Sequence, residues 1–366
     1  MALTSTTPTA TIAPFTNSYT AGKLPRWAPW ATLAGSWVVF IAVFAILAIS
    51  KATQGFNIVG AIFFGTVLFD VALYVTSLLV EGPRRAKDRL VTALVATAFV
   101  VALLPLISLL WTVISQGLTR LDVSFFTESM RNIIGDGGGA LHAIMGTVLI
   151  TLMASLISIP IGLLTSIYLV EYGRGSLARA ITFFVDVMTG IPSIVAGLFA
   201  YALFALFFGP AIHNGFMGSV ALSVLMIPIV VRSSEEILRI VPNELREASL
   251  ALGVPKWLTI VKVVLPTSLA GISTGVVLAI ARVIGETAPL LIATGFTTDM
   301  NYNLFNNSMM SLPVFAYTQY MLASGLHAQA WIDRAWTSAL TLIIIVMLLN
   351  LIGRLIARAF APKYGR

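Results

Sequence analysis

With 366 residues, 58% of them hydrophobic and only 10% charged, and a mean hydropathy of +0.94, the chain is too apolar to hold itself in water; lipid must surround most of it. Zero cysteines exclude disulfides and thiolate metal sites, and His142, His213 and His327 have no metal-ligand spacing, so no metal site is expected. The net charge of +7 reads as membrane topology and not as nucleic-acid binding.

Residues 1–29 are rich in Thr, Pro and Ala without an apolar run, and are expected to form a disordered tail. Apolar windows then predict eight helices, at roughly 30–50, 58–80, 90–114, 143–168, 181–208, 217–231, 269–294 and 335–360. The first follows too long a leader for an ordinary cleaved signal and reads as a retained anchor. In an alternating arrangement Lys23, Arg26, Arg84, Arg85, Lys87, Arg89, Arg174, Arg179, the stretch 232–262 and the tail from Arg354 fall on one side. Lys51, Arg120, Arg131 and Arg334 fall on the other, so the positive-inside rule places both termini in the cytoplasm. The expected organisation is a tail at 1–29, two helices and a basic linker at 30–89, a six-helix core at 90–360 and a cytoplasmic tail at 361–366.

Asp70 is an intramembrane acid, and a Thr, Tyr or backbone partner for it is as plausible as a transport role. The run Gly137 to Gly139 has no following Lys-Ser/Thr, so it reads as a flexible outer turn and not a phosphate loop. No GxxxxGK[ST] pattern occurs, so any ATP must be bound by another chain.

Between the sixth and seventh windows, residues 242–266 carry their own helix punctuation. Pro242 suits a first helical position, Glu244 favours the positive end of the helix dipole, and Gly253 supplies a left-handed end. Pro255 opens a second short helix, and Leu265-Pro266 closes the hairpin. A folded, charged hairpin on an apolar chain points to a surface built to touch something. Glu247-Ala248-Ser249, three residues, Gly253, eleven residues and Leu265-Pro266 together resemble the "EAA" signature of permease subunits of bacterial ABC importers, with Ser249 where a second Ala is usual and Val263 where Ile is commoner. The resemblance implies that the hairpin docks on a partner ATPase. Small Ala248, Ser249 and Ala251 would let that surface approach, Glu244 and Glu247 would offer charge beside Leu250, and Gly253 would permit the turn.

In the seventh window Arg282 and Glu286 stand four residues apart and share a helix face. Arg282 lies about 24 Å along a helix counted from Pro266, beyond snorkelling range. Its exposure to lipid would cost at least about 2.5 kcal/mol, which predicts a protein interior or a wet path. Pro289 cannot donate to the carbonyl of Gly285, which predicts a kink beside Glu286. The pair either locks helix packing or handles an oxyanion, the carboxylate weakening the grip of the arginine so that substrate can leave. In the fifth window Gly190 and Pro192 weaken the helix as a gate or a packing device. Ser193 is available to the freed backbone groups, and Asp186 stands one turn earlier.

Arg282-Val-Ile-Gly-Glu-Thr-Ala-Pro-Leu290, Gly190-Ile-Pro-Ser-Ile-Val-Ala-Gly-Leu-Phe199, Ile159-Pro160-Ile-Gly162 and Tyr168-Leu-Val-Glu-Tyr172 resemble the permease subunits of phosphate importers, the PstA type in particular, over about residues 90–360. The resemblance implies an all-α polytopic membrane protein with a six-helix, MetI-like type I importer core and two added N-terminal helices. It also implies a second homologous permease of the PstC type, an ATPase dimer holding ATP and Mg, an extracytoplasmic phosphate-binding protein and inorganic phosphate as cargo. A substrate path near Arg282, Glu286, Asp186 and Ser193 follows from it, with no cofactor or catalytic residue in this chain. A molybdate or sulfate permease is the nearest rival. An ion-coupled secondary transporter relaying protons through Asp70, Asp186, Arg282 and Glu286 is a more distant one, and it gives the hairpin no task.

Overall fold

Every regular element among the described residues of the computed structural model, which are 22–50, 57–133 and 135–360, is helical. The first part of the expected leader, Lys51 and the tail 361–366 lie outside them. Seven helices are long and apolar enough to cross a membrane, or eight if one bent pair counts as a single span. They are α1 (Ala28–Ile49), α2 (Ile58–Glu81), α3 (Pro83–Gly117), α5 (Leu141–Tyr172), α8 (Gly215–Ile240), α10 (Lys256–Val283) and a last helix from Gly325–Arg358, the greater part of α13 (Ala328–Phe360). Shorter helices are α4 (Val123–Thr127), α6 (Ser176–Thr189), α7 (Ser193–Phe208), α9 (Asn243–Ala251), α11 (Ala288–Ala293) and α12 (Leu312–Met321). The chain divides into two compact units, Met1–Leu109 and Leu110–Arg366, with the division inside α3.

In the first unit α1 and α2 pack along a stripe of α2 that includes Ala61, Gly65, Asp70, Leu73, Ser77 and Glu81. Gly65 lets the Trp37 backbone approach: a Cβ there would lie 3.2 Å from the Trp37 Cα. Buried Glu81 accepts from Ser77 Oγ at 2.9 Å, from the Leu24 amide at 2.9 Å and from Arg89 at 2.5 and 2.9 Å, so one carboxylate ties three segments. Asp70 is buried, and its Oδ1 has no hydrogen-bond partner among the described residues, so the Thr, Tyr or backbone contact that was one of its two alternatives is not made at that atom. The basic linker expected over residues 81–89 is a helical joint instead, because only Gly82, at φ +89°, separates α2 from α3. Leu90, where a core was expected to begin, lies well inside α3.

The second unit is built on α5 and α8. In lipid no hydrophobic drive pairs helices, so close approach through small residues and side-chain hydrogen bonds must do it. Gly162 meets Val230 where a Cβ would be 2.6 Å from its Cγ1, while Ser219 and Ser223 reach across to the carbonyls of Ile150 and Ala154 at 3.1 and 3.4 Å. Ile150, Ala154, Leu222, Met226 and Val230 are fully buried between them. Helix α10 packs on α8, and α13 on α10 and α12.

Two expected single helices are broken. The fifth window, 181–208, holds α6 and α7 at 110° to each other. Pro192 has no amide to continue the ladder and adopts ψ 135°, so α6 ends on turns into the carbonyls of Val187 and Met188 and α7 starts afresh. The seventh window begins early and ends early: the helix runs from Lys256 to Val283 through π turns at Ile260–Val264 and stops before Pro289, leaving 284–287 outside any helix. Consequently Leu265-Pro266 closes no hairpin, and Pro255 opens a long helix and not a short one.

The expected flexible turn at Gly137 to Gly139 is pinned. Arg334, the largest fully buried side chain, donates to the Gly135 and Gly137 carbonyls at 3.0 and 2.9 Å and to Gln319 Oε1 at 2.9 Å, and Arg120 donates to the Gly138 carbonyl at 2.8 Å. A Cβ on Gly139 would lie 2.5 Å from the Ser124 carbonyl oxygen, so glycine is needed there for closeness.

Candidate functional site

Helix α9 is held by its own arginine. Arg246 donates to Glu171 Oε1 at 2.9 Å, to the Leu238 and Val241 carbonyls at 2.8 and 2.6 Å, and to Asn243 Oδ1 at 3.2 Å. The last carbonyls of α8, which have no partner within that helix, are thereby satisfied, and α9 is fixed to both α8 and the π turn Tyr168–Tyr172. Lys256 adds a hydrogen bond to the Glu171 carbonyl and sits 4.9 Å over the Tyr172 ring. Gly253 at φ +77° makes the turn after α9.

Of the residues expected to face a partner, Glu244, Glu247, Ala248 and Leu250 are exposed, together with Leu252 and Trp257. Ser249 is a correction. It is buried, and its hydroxyl is 2.9 Å from that of Thr259, so it joins α9 to α10 and offers nothing to a partner. The buried hydroxyl pair explains a small polar residue at that position.

Asp186, on α6, makes an ion pair with Arg232 of α8. Arg232 also reaches Glu235 at 2.9 Å, and Arg239 reaches the other oxygen of Glu235 at 2.5 Å. Asp186, Glu235 and Arg239 line a groove of about 410 Å³ with Leu169, Arg179, Thr182 and Phe183. Asp186 is therefore spent on a structural pair beside the 110° break, and Ser193, at the start of α7, makes no side-chain hydrogen bond among the described residues.

Arg282 and Glu286 do meet: the guanidinium donates to Glu286 Oε1 across the end of α10. The arginine is 64% exposed and the glutamate 13%, so the expected enclosure of Arg282 is not made within this chain. Gly285 is in a break and not in a kinked helix; a Cβ there would meet only Leu342, at 3.7 Å. The sharpest contact in this region was not predicted. A Cβ on Gly197 would lie 2.6 Å from Pro289 Cα and 2.9 Å from its carbonyl oxygen, so α7 lies directly on α11. Gly190 has no such constraint, its nearest neighbour being the Val187 carbonyl at 3.6 Å. The Gly-x-x-x-x-x-x-Gly spacing from Gly190 to Gly197 was the only sequence sign. Among the described residues no group of three or more His, Asp or Glu side chains is placed to hold a metal.

The pattern of a long helix, a short charged helix docked by arginine, and a second long helix lies within residues 158–366, which match the model of the family described as "Binding-protein-dependent transport system inner membrane component". The chain belongs to that family. Its relatives include "Phosphate transport system permease protein PstA 1" of Mycobacterium tuberculosis (strain ATCC 25618 / H37Rv), 46% identical over 276 residues, 75% of this chain and 88% of that one. "Phosphate transport system permease protein PstA" of Yersinia pestis is 38% identical over 286 residues, 76% of this chain and 92% of the relative. Among solved structures, a bacterial alginate ABC transporter bound to its alginate-loaded periplasmic protein has a chain matching with a TM-score of 0.53 at 13% identity, over 76% of this chain and 97% of that one, a likeness of fold alone. As an inner-membrane permease component of this family, the chain is a multi-pass transport subunit.

Proposed function

We propose that this chain is the PstA-type permease of an ATP-driven importer of inorganic phosphate, forming half of the path through the membrane. The 46% identity to a mycobacterial phosphate permease over three quarters of the chain carries the reading. A second, PstC-type permease supplies the other half. An ATPase dimer holds ATP and Mg on the cytoplasmic side, and an extracytoplasmic binding protein delivers the anion. Both termini are cytoplasmic in this reading, because the positive-inside rule assigns the basic stretches 84–89 and 232–262 of the sequence to the cytoplasm.

In this arrangement the exposed edge of α9, with Glu244, Glu247, Ala248 and Leu250, sits in the ATPase. Closure of the ATPase moves α9, and Arg246 passes the displacement to Glu171 and the end of α8 with little slack. Arg282 projects from the end of α10 toward the partner permease, where a planar multi-donor cation suits a tetrahedral oxyanion. Glu286 competes for the same guanidinium and so limits how tightly the anion is held. Delivery by a binding protein relieves this chain of deep selectivity.

The deciding measurement is uptake of labelled phosphate, sulfate and molybdate by the reconstituted four-component complex with ATP inside the vesicles. Phosphate uptake is expected. A complex that hydrolyses ATP and moves another oxyanion but no phosphate overturns the substrate assignment.

A further inference from the structure

Helix α6 has the shape of a segment that lies on a membrane and does not cross it. Its 14 residues span about 21 Å, short of the roughly 30 Å hydrocarbon core. It meets the spanning direction of α7 at 110°, so when α7 crosses the bilayer α6 turns along its surface. Leu177, Phe184 and Val187 are exposed on one side of it, and Arg179, Thr182 and Asp186 recur on the other. Helices of this kind settle at the boundary between headgroups and acyl chains.

The polar side of α6 faces α8 across the groove of about 410 Å³, which Phe183, 63% exposed, edges. Two guanidiniums, of Arg179 and Arg239, line it with two carboxylates, of Asp186 and Glu235, and Arg232, outside the lining, pairs with both carboxylates. Both Glu235 oxygens are taken, by Arg232 and Arg239, and Asp186 is held by Arg232. Arg179 has no ion pair or side-chain hydrogen bond among the described residues, and Arg239 spends one nitrogen on Glu235 and is 67% exposed. The free donors of the groove are thus the Arg179 fork, the rest of the Arg239 fork and the Thr182 hydroxyl.

We propose that this groove binds a phosphoryl oxyanion, and that its source is the headgroup of an anionic phospholipid. The donor set is that of a phosphate site, with planar arginine forks and a hydroxyl. The depth of α6 at the membrane surface puts a lipid phosphate beside them, with Phe183 and Phe184 against the acyl chains. A lipid held there clamps α6 to α8 next to the break before Pro192. This inference is independent of which anion the transporter carries.

The test is lipid retention by the assembled transporter, purified and read by native mass spectrometry after exchange into vesicles of phosphatidylglycerol mixed with phosphatidylcholine, or of phosphatidylcholine alone. Phosphatidylglycerol is expected to be retained, with about fivefold weaker retention for Arg179→Gln and again for Arg239→Gln. Arg239→Lys, which keeps a cation to pair with Glu235, separates loss of the site from loss of folding and should retain lipid better than Arg239→Gln. Arg174→Gln, an exposed arginine outside the groove, should match the wild type. Equal retention by the wild type and the Arg179→Gln, Arg239→Gln pair overturns the site. Displacement of the lipid by millimolar inorganic phosphate, with direct phosphate binding lost in the same variants, overturns the lipid source in favour of the soluble ion.

Discussion

Arg246 and Glu171 lie 75 residues apart in sequence and 2.9 Å apart in space, and both are largely buried, at 15% and 6% exposure. Because the same guanidinium also takes the last carbonyls of α8, the short helix α9 is fastened at one point to two membrane helices. Removing one member of a buried pair leaves the other charge unmatched, at a cost of about 3–5 kcal/mol. Arg246→Ala should therefore lower thermal stability and, at a temperature where the complex stays folded, let ATP hydrolysis continue while transport falls at least about tenfold. Parallel assays of phosphate release and uptake give the ratio; unchanged coupling would refute a transmitting role.

The contact of Gly197 with Pro289 leaves no room for a side chain. Overpacking of this kind costs about 1–3 kcal/mol. Gly197→Val is expected to push α7 off α11 and abolish uptake, whereas Gly190→Ala, at φ −89° with open space around it, should be nearly neutral. Uptake and thermal melting of the two variants side by side decide whether the fifth window bends through a glycine hinge at 190 or through Pro192 alone.

For Arg282 and Glu286, a double-mutant cycle separates packing from transport. Glu286→Gln should leave stability within about 1 kcal/mol, since the arginine remains exposed, and should lower the KM for phosphate by freeing the guanidinium. Arg282→Ala should reduce uptake in either background. Identical uptake in all four proteins would assign the pair to packing.

Among the described residues, buried Arg334 has no carboxylate within ion-pair distance and serves three acceptors at once, which a lysine ammonium cannot reproduce with the same fork. Arg334→Lys should unfasten the loop at 135–139 from α12 and α13. Hydrogen exchange in that loop should rise at least about tenfold, with α9 unaffected.

Asp122 caps α4, accepting from Ser124 Oγ at 2.7 Å and from the Phe125 amide at 2.8 Å. These bonds, the Ser124 one first, hold its carboxyl below the usual carboxylate range. The folded form thus prefers the ionised acid, so the cap contributes fully above the unfolded pKa near 4 and weakens as pH falls through the lower folded value. Protection of the Phe125 amide, corrected for intrinsic exchange, should decline over that acid range in the wild type and stay level in Asp122→Asn, which still caps.

Composition and hydropathy located nearly all the spanning segments, because in lipid a run of apolar residues has few alternatives to a helix. Helix α9 was legible for a related reason: Glu244 and Gly253 act locally, within a few residues of where they stand. What sequence could not tell was where a long window breaks. Pro192 and Pro289 both carried a signal, yet one stands at a 110° turn and the other follows a helix that has already ended at Val283, eleven residues before the expected 294, outcomes set by what each segment packs against. Ser249 was misjudged for the same reason, since its direction depends on Thr259 in the following helix. Gly139 was taken for slack because the two arginines that hold its loop come from distant positions.

A single left-handed residue, Gly82, is all that separates the second membrane helix from the third. No loop therefore lies between them on which a protease could act. Shortening the protein to its family core is then a question of surgery at a joint. A cut there exposes Pro83 and the buried Glu81 contacts together, and a cut upstream of Ile58 leaves α2 without the helix it packs on.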